Sequence, residues 1–230
     1  NSLLTLNNSS QTTGLKWDKL EVDTSSLTGA GIKTYEPYKL NLIDNAVGIG
    51  TAGYTGAKDH STDKFEYVID TDSHGANATQ YITLEGYQFK DNSAATYTAT
   101  DGTHSEAWAG RTKVGNKVEN NKLTVTGGMI SAAAYGGVVE NHKLDGGGNP
   151  LPTGDAEKNT VAVAGGNVAN AYGAQVRTKA GSASENTAKI SGGTVSHVYG
   201  ASLTAAGATG SVTKSRVDVT GGAVTGDVYG

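Results

Sequence analysis

The chain has 230 residues, no cysteine and a formal net charge of −4, which rules out disulfide scaffolds and thiolate metal sites. It has no basic stripe of the kind that neutralises phosphate, so neither a nucleic-acid partner nor contact of this segment with an anionic membrane is expected. Glycine totals 33 against 2 Phe and 1 Met, and apolar residues make up only 36%: too little to fill a wide core, enough for a narrow one stacked from Val, Ile, Leu and Ala.

Along the first half, short runs alternate like strands: L-L-T-L from Leu3, L-E-V from Leu20, Y-I-T-L from Tyr81 and Y-Q-F from Tyr87. Turn-forming stretches such as S-S-L-T-G-A-G around Ser25 separate them. No run reaches the ~18 consecutive apolar residues of a membrane helix, and none shows helical periodicity. Gly48-Ile-Gly-Thr-Ala-Gly53 matches a dinucleotide fingerprint, but turn formers follow it where that site needs a helix. Asp70-Thr-Asp72-Ser-His74 sets carboxylates at alternate positions, yet it lacks the Gly and Glu of a calcium loop and reads as a surface turn. His60, His74, His104, His142 and His197 show no metal-ligand spacing. Residues 1–110 are expected to form irregular early coils or a small N-terminal cap, with Trp108 in the slot that tyrosine fills later.

From Asn121 a repeat takes over. N-K-L-T-V-T-G-G-M-I from Asn121 is echoed by N-T-V-A-V-A-G-G-N-V from Asn159, N-T-A-K-I-S-G-G-T-V from Asn186 and S-R-V-D-V-T-G-G-A-V from Ser215. Each echo ends in Tyr-Gly, at Tyr135, Tyr172, Tyr199 and Tyr229. Leu123/Val125, Val161/Val163, Ala188/Ile190 and Val217/Val219 alternate with polar residues, the mark of a strand with one buried face. Gly-Gly permits a sharp corner and Tyr-Gly marks a second, with Val139, Val176 and Leu203 expected on a third strand. The sum is an all-β, right-handed parallel β-helix (β-solenoid), three short strands per coil of about 27–30 residues. Single coils cannot bury their own face, so successive coils stack about 4.8 Å apart, like residue over like. Antiparallel hairpins joined by Gly-Gly turns are the competing arrangement.

Residues 111–230 form the regular part, with an insertion near 140–158 that loops out from a corner. Solenoid glycosidases and lyases carry paired acids or Lys/Arg clusters on one face of successive coils. The acids here (Asp155, Glu157, Glu185, Asp218, Asp227) are scattered, so no catalytic, cofactor or metal residues are assigned and the ligand-binding residues stay unassigned.

The run N-T-V-x-V-x-G-G-x-V-x-x-x-V-Y-G-A, clearest from Asn159 to Ala201, resembles the passenger repeats of type V autotransporters, the large surface adhesins of Gram-negative anaerobes of the fusobacterial type. The resemblance covers Asn121–Gly230 and, weakly, W-D-K-L-E-V from Trp17. It implies a passenger displayed on the bacterial cell surface, exported through a C-terminal translocator barrel outside this chain, with a host or bacterial surface glycan or protein as partner. The break at Tyr229-Gly230, part-way through a coil, suits a piece of a longer chain. The function expected is attachment through loops on a rigid rod; a carbohydrate-active enzyme and a purely structural spacer are the alternatives.

Overall fold

A computed structural model describes residues 4–5, 29, 31–44, 60–61, 63–74, 79–140 and 154–230. The Gly48–Gly53 run, His142 and residues 141–153 of the insertion lie outside the described residues.

Two β structures follow one another. The first is a five-stranded sheet of β1 (Leu4–Thr5), β2 (Tyr38–Asp44), β3 (His60–Ser61), β4 (Phe65–His74) and β5 (Thr79–Gln88), in the order β1-β2-β5-β4-β3. Its pairings are antiparallel except β1 with β2. The expected turn at Asp70–His74 is instead the second half of β4, paired residue for residue with β5 from Asp70↔Thr83 to His74↔Thr79.

The second structure is a parallel β-solenoid. Its coils begin with β6 (Ala95–Tyr97) and β7 (Thr103–Thr112), joined by a single 3₁₀ turn at Ala99–Asp101. They continue as β8 (Val118–Glu119) and β9 (Lys122–Val139), then β10 (Ala156–Glu157) and β11 (Thr160–Val176). Next come β12 (Ala183–Ser184), β13 (Thr187–Ile190) and β14 (Thr194–Leu203), and last β15 (Val212–Thr213), β16 (Arg216–Val219), β17 (Ala223–Val224) and β18 (Val228–Tyr229). Every pairing within it is parallel, and like lies on like: Trp108↔Tyr135, Tyr135↔Tyr172 and Tyr172↔Tyr199. This excludes the hairpin arrangement.

Each coil has three strand segments, as in the coil of β10 and β11: 156–157, 160–163 and 167–176. The Gly-Gly pair kinks the ladder between the second and third; Gly128, Gly166, Gly193 and Gly222 all take positive φ, and Cβ atoms there would strike the backbone of the coil before. Tyr-Gly, in contrast, does not interrupt the strand, which runs on through Gly173 to Val176. The remaining segment is a two-residue rung before the asparagine that the repeat did not reveal. A residue in the left-handed region turns the chain out of it: Asn120, Lys158, Glu185 and Lys214. Residues 156–158, at the end of the expected insertion, therefore belong to the coil itself.

The interior is pinched into two lobes. Leu123, Val125, Ile130, Val161, Val163, Val168, Ile190 and Val195 fill one; Val118, Val139, Ala156, Val176 and Ala183 fill the other. Two columns stand between them. One is the glycine after each tyrosine: a Cβ on Gly173 would sit 2.3 Å from the Gly200 carbonyl and 2.7 Å from the Thr187 backbone. The other is an asparagine ladder with no measurable exposure at Asn159 and Asn186. Asn159 Nδ2 donates to the Val118 carbonyl at 2.9 Å and to Asn186 Oδ1 at 3.1 Å, while its Oδ1 accepts from Asn121 N and Nδ2 at 3.2 and 2.9 Å. Asn92 extends the ladder through Asn121, and Ser215 ends it. Each amide thus satisfies buried backbone groups that the corner leaves unpaired.

The first coil is covered. Tyr35 packs over one lobe and Phe89 lies in the other, while Trp108 N donates to the Thr34 carbonyl at 2.6 Å. The last coil leaves Val212, Val219, Val228 and Tyr229 exposed.

Candidate functional site

The densest group of ionisable side chains lies where the antiparallel sheet meets the solenoid, on the outer face of the tyrosine-bearing strands. Ala134 and Val139 pack inward and Gly137 lies against Asn159 and Val118, while Tyr135 and Val138 face outward, where Tyr87 and Trp108 join them. Glu106, Arg111, Glu140 and Arg177 gather beside this aromatic patch.

They form a closed ring of two cations and two anions. Arg111 donates to Glu140 Oε2 from Nε at 2.9 Å and from Nη2 at 2.6 Å, and reaches Glu106 Oε2 at 3.4 Å. Arg177 donates to Glu140 through Nη1 and to Glu106 Oε1 through Nη2 at 2.8 Å. The Tyr135 hydroxyl accepts from Arg177 at 2.5 Å and donates to Glu106 at 3.1 Å. The Arg111 guanidinium also lies over the Trp108 ring, 4.5 Å from its centre. Trp108 Nε1 is the one buried side-chain polar atom among the described residues without a hydrogen bond.

Burial disfavours both signs of charge here, and the pairing overcomes it. Burial pushes Glu106 up, but the Arg177 hydrogen bond and the charges of Arg177 and Arg111 hold it below the usual carboxylate range. Burial likewise lowers Arg177, and the bond it donates to Glu106 reverses that and raises it. Burial raises the Tyr135 phenol above its ordinary value. A second cluster adjoins the ring. Burial pushes Glu85 up, while Lys113, Tyr87 and Lys39 pull it down to about 2. Glu66, with no measurable exposure, accepts from Thr112 Oγ1 at 2.6 Å, Lys113 N at 2.5 Å and Asn116 Nδ2 at 2.8 Å.

Glycoside hydrolysis needs one carboxyl that keeps its proton and a gap of several ångströms for a sugar between two acids. In this ring guanidinium groups fill the gap and hold Glu106 ionised. The ring suits a clasp across three coils, while Glu85 and Glu66 pin the sheet to the solenoid through Lys113, Thr112 and Asn116.

Among the acids read from the sequence as scattered, Glu157 is bridged to Lys117 and Lys158, while Asp218 pairs with Arg216 at 3.0 Å and Asp227 lies 3.6 Å from His197. Asp155 accepts from Ser182 N at 2.8 Å, and Glu185 pairs with Lys214 at 4.0 Å. Glu106 and Glu140 escaped that reading. A signal exists for Glu140 but not for Glu106: Lys113, Glu140 and Arg177 each stand five residues past the stacked aromatic, a column of alternating charge. His104 stacks on Tyr35 at 4.0 Å; no group of three or more ligating side chains converges on a metal site among the described residues.

A different surface lies beside the Gly-Gly kinks, where a shallow groove of about 270 Å³ runs across three coils. Met129, Asn167 and Thr194 form one wall and Ser131, Ala169 and Ser196 the other, with no charged side chain lining it. Comparison with protein-family models, with curated proteins and with solved structures finds no match.

Proposed function

We propose that this chain is part of an extracellular adhesin, a passenger of the autotransporter type displayed on a bacterial surface and exported through a C-terminal translocator barrel outside this chain. The observation that supports this reading most is the division of labour in the solenoid. The repeated Asn, Gly-Gly and Tyr-Gly columns are engaged in holding the rod together. The junction charges pair with one another. Among the described residues, what remains for a partner is the uncharged groove face; the insertion read from the sequence near 140–158 is the other candidate. The amide and hydroxyl groups of Asn167, Thr194, Ser131 and Ser196, beside Met129 and Ala169, suit a neutral glycan or a polar protein surface, where binding rests on hydrogen bonds and shape.

The test is saturable binding of the labelled chain to intact cells and to an array of neutral glycans, repeated with N167R/T194E and with residues 141–153 replaced by a short Gly-Ser linker. Binding that either variant abolishes supports the reading. Absence of saturable binding contradicts it, and new reducing ends in the glycan would favour a carbohydrate-active enzyme instead.

A further inference from the structure

The outward tyrosines form a column with a chemistry that attachment does not use. Tyr135, Tyr172, Tyr199 and Tyr229 stack with ring centres 5.4, 4.6 and 5.0 Å apart and planes within 17°, 10° and 8° of parallel. The backbone register holds them there, since Tyr172 pairs with Tyr199 and Tyr199 with Tyr229. The chain has no cysteine and one methionine, the side chains that ordinarily absorb oxidants first. Oxidising equivalents therefore fall largely on its aromatic rings.

We propose that this column is a site of oxidative modification, where a one-electron oxidant couples Tyr199 to a stacked neighbour as dityrosine and so staples adjacent coils. The agent by class is a peroxidase with hydrogen peroxide. Each phenol gives one electron to the oxidant and one proton to water, leaving two phenoxyl radicals. The radicals combine through the ring carbons ortho to oxygen, forming one carbon–carbon bond. The hydrogen on each of those carbons then leaves as a proton and each oxygen regains one, restoring two linked phenols. Two electrons and two protons are lost in all, and they reduce one peroxide to two waters.

The members of the column are not equivalent. Tyr135 is buried and its hydroxyl is tied to Glu106 and Arg177, which opposes the proton loss that oxidation requires. Tyr172 and Tyr199 are partly exposed and form the closest pair, and Tyr229 is 50% exposed. Coupling requires the rings to tilt out of parallel, which the open outer face permits. Tyr172–Tyr199 is the main product and Tyr199–Tyr229 the lesser one.

The experiment treats the dilute whole chain with peroxidase and hydrogen peroxide, then reads dityrosine fluorescence in the monomer band of a denaturing gel and identifies linked peptides by mass spectrometry. The expected result is an intramolecular link that contains Tyr199. Tyr199→Phe, which keeps the stack and removes the phenol, abolishes the monomer signal, while Tyr38→Phe leaves it unchanged. As a second variant, Tyr172→Phe retains only the Tyr199–Tyr229 link. Dityrosine confined to covalent dimers, or a monomer link that survives Tyr199→Phe, overturns the proposal.

Discussion

The antiparallel sheet and the solenoid solve the same problem, pairing every strand, with different economies of sequence. In the sheet, β4 and β5 pair along ten residues each, and none of those ten pairs sets a residue type on itself. In the solenoid a residue's identity is set by its column: asparagine where the two lobes meet, glycine where backbones close to contact, tyrosine outside. A parallel stack repeats one environment every coil, so one good solution is copied. An antiparallel sheet offers no such repeat, and its register rests on alternation and turns.

The comparison breaks most sharply at the ladder. Asn159→Ala removes an amide with no exposure and strands its partners on Val118, Asn121 and Asn186, costing about 4 kcal/mol. Chemical denaturation measures the loss, and hydrogen exchange should place it in the coils and spare β2, β4 and β5. Glu66→Ala tests the reverse. It leaves Thr112, Lys113 N and Asn116 without their acceptor and costs about 2–3 kcal/mol. Exchange then rises in the sheet and at 112–116, while the amides of 160–176 keep their protection.

Acid sharpens the contrast further. The Glu85 carboxyl is depressed from 4.5 to about 2 against the opposing effect of burial, by Lys113, Tyr87 and Lys39. A depressed carboxyl stabilises the folded state fully above its unfolded value and loses that contribution as pH falls from 4.5 toward about 2. The sheet's junction should therefore loosen in that window before the coils do. In Glu85→Gln the chain is weaker at neutral pH but its stability changes less across the window, as followed by fluorescence of Trp108 in a Trp17→Phe background. The smallest effect has the opposite sign. Glu185 is exposed with φ 56°, so Glu185→Gly relieves backbone strain and raises stability by roughly 0.5–1 kcal/mol, seen as a higher melting temperature.

These regions also differ in how far the amino-acid sequence discloses them. The coils were legible because Asn121, Asn159 and Asn186 recur in step with Gly-Gly and Tyr-Gly, and stacking makes recurrence a physical requirement. The two-residue rung stayed hidden because Val118, Ala156, Ala183 and Val212 share only small size, and the residues that turn the chain out of it (Asn120, Lys158, Glu185, Lys214) share only a backbone conformation. The Asp70–His74 strand was hidden because turn-forming residue types there are overridden by pairing with β5. The Glu106–Arg111–Glu140–Arg177 ring was hidden for a third reason. Its members lie in three coils and meet only once the register is known.

That register is the claim on which the rest stands, and the absence of cysteine makes it directly measurable. Asn167 and Thr194 are exposed and paired across adjacent coils, where backbones about 4.8 Å apart suit a disulfide. N167C/T194C should form an intramolecular disulfide on mild oxidation without loss of folded structure, while N167C/A223C, two coils apart, should not. Equal cross-linking of both pairs, or none in the first, would contradict the stacked coils.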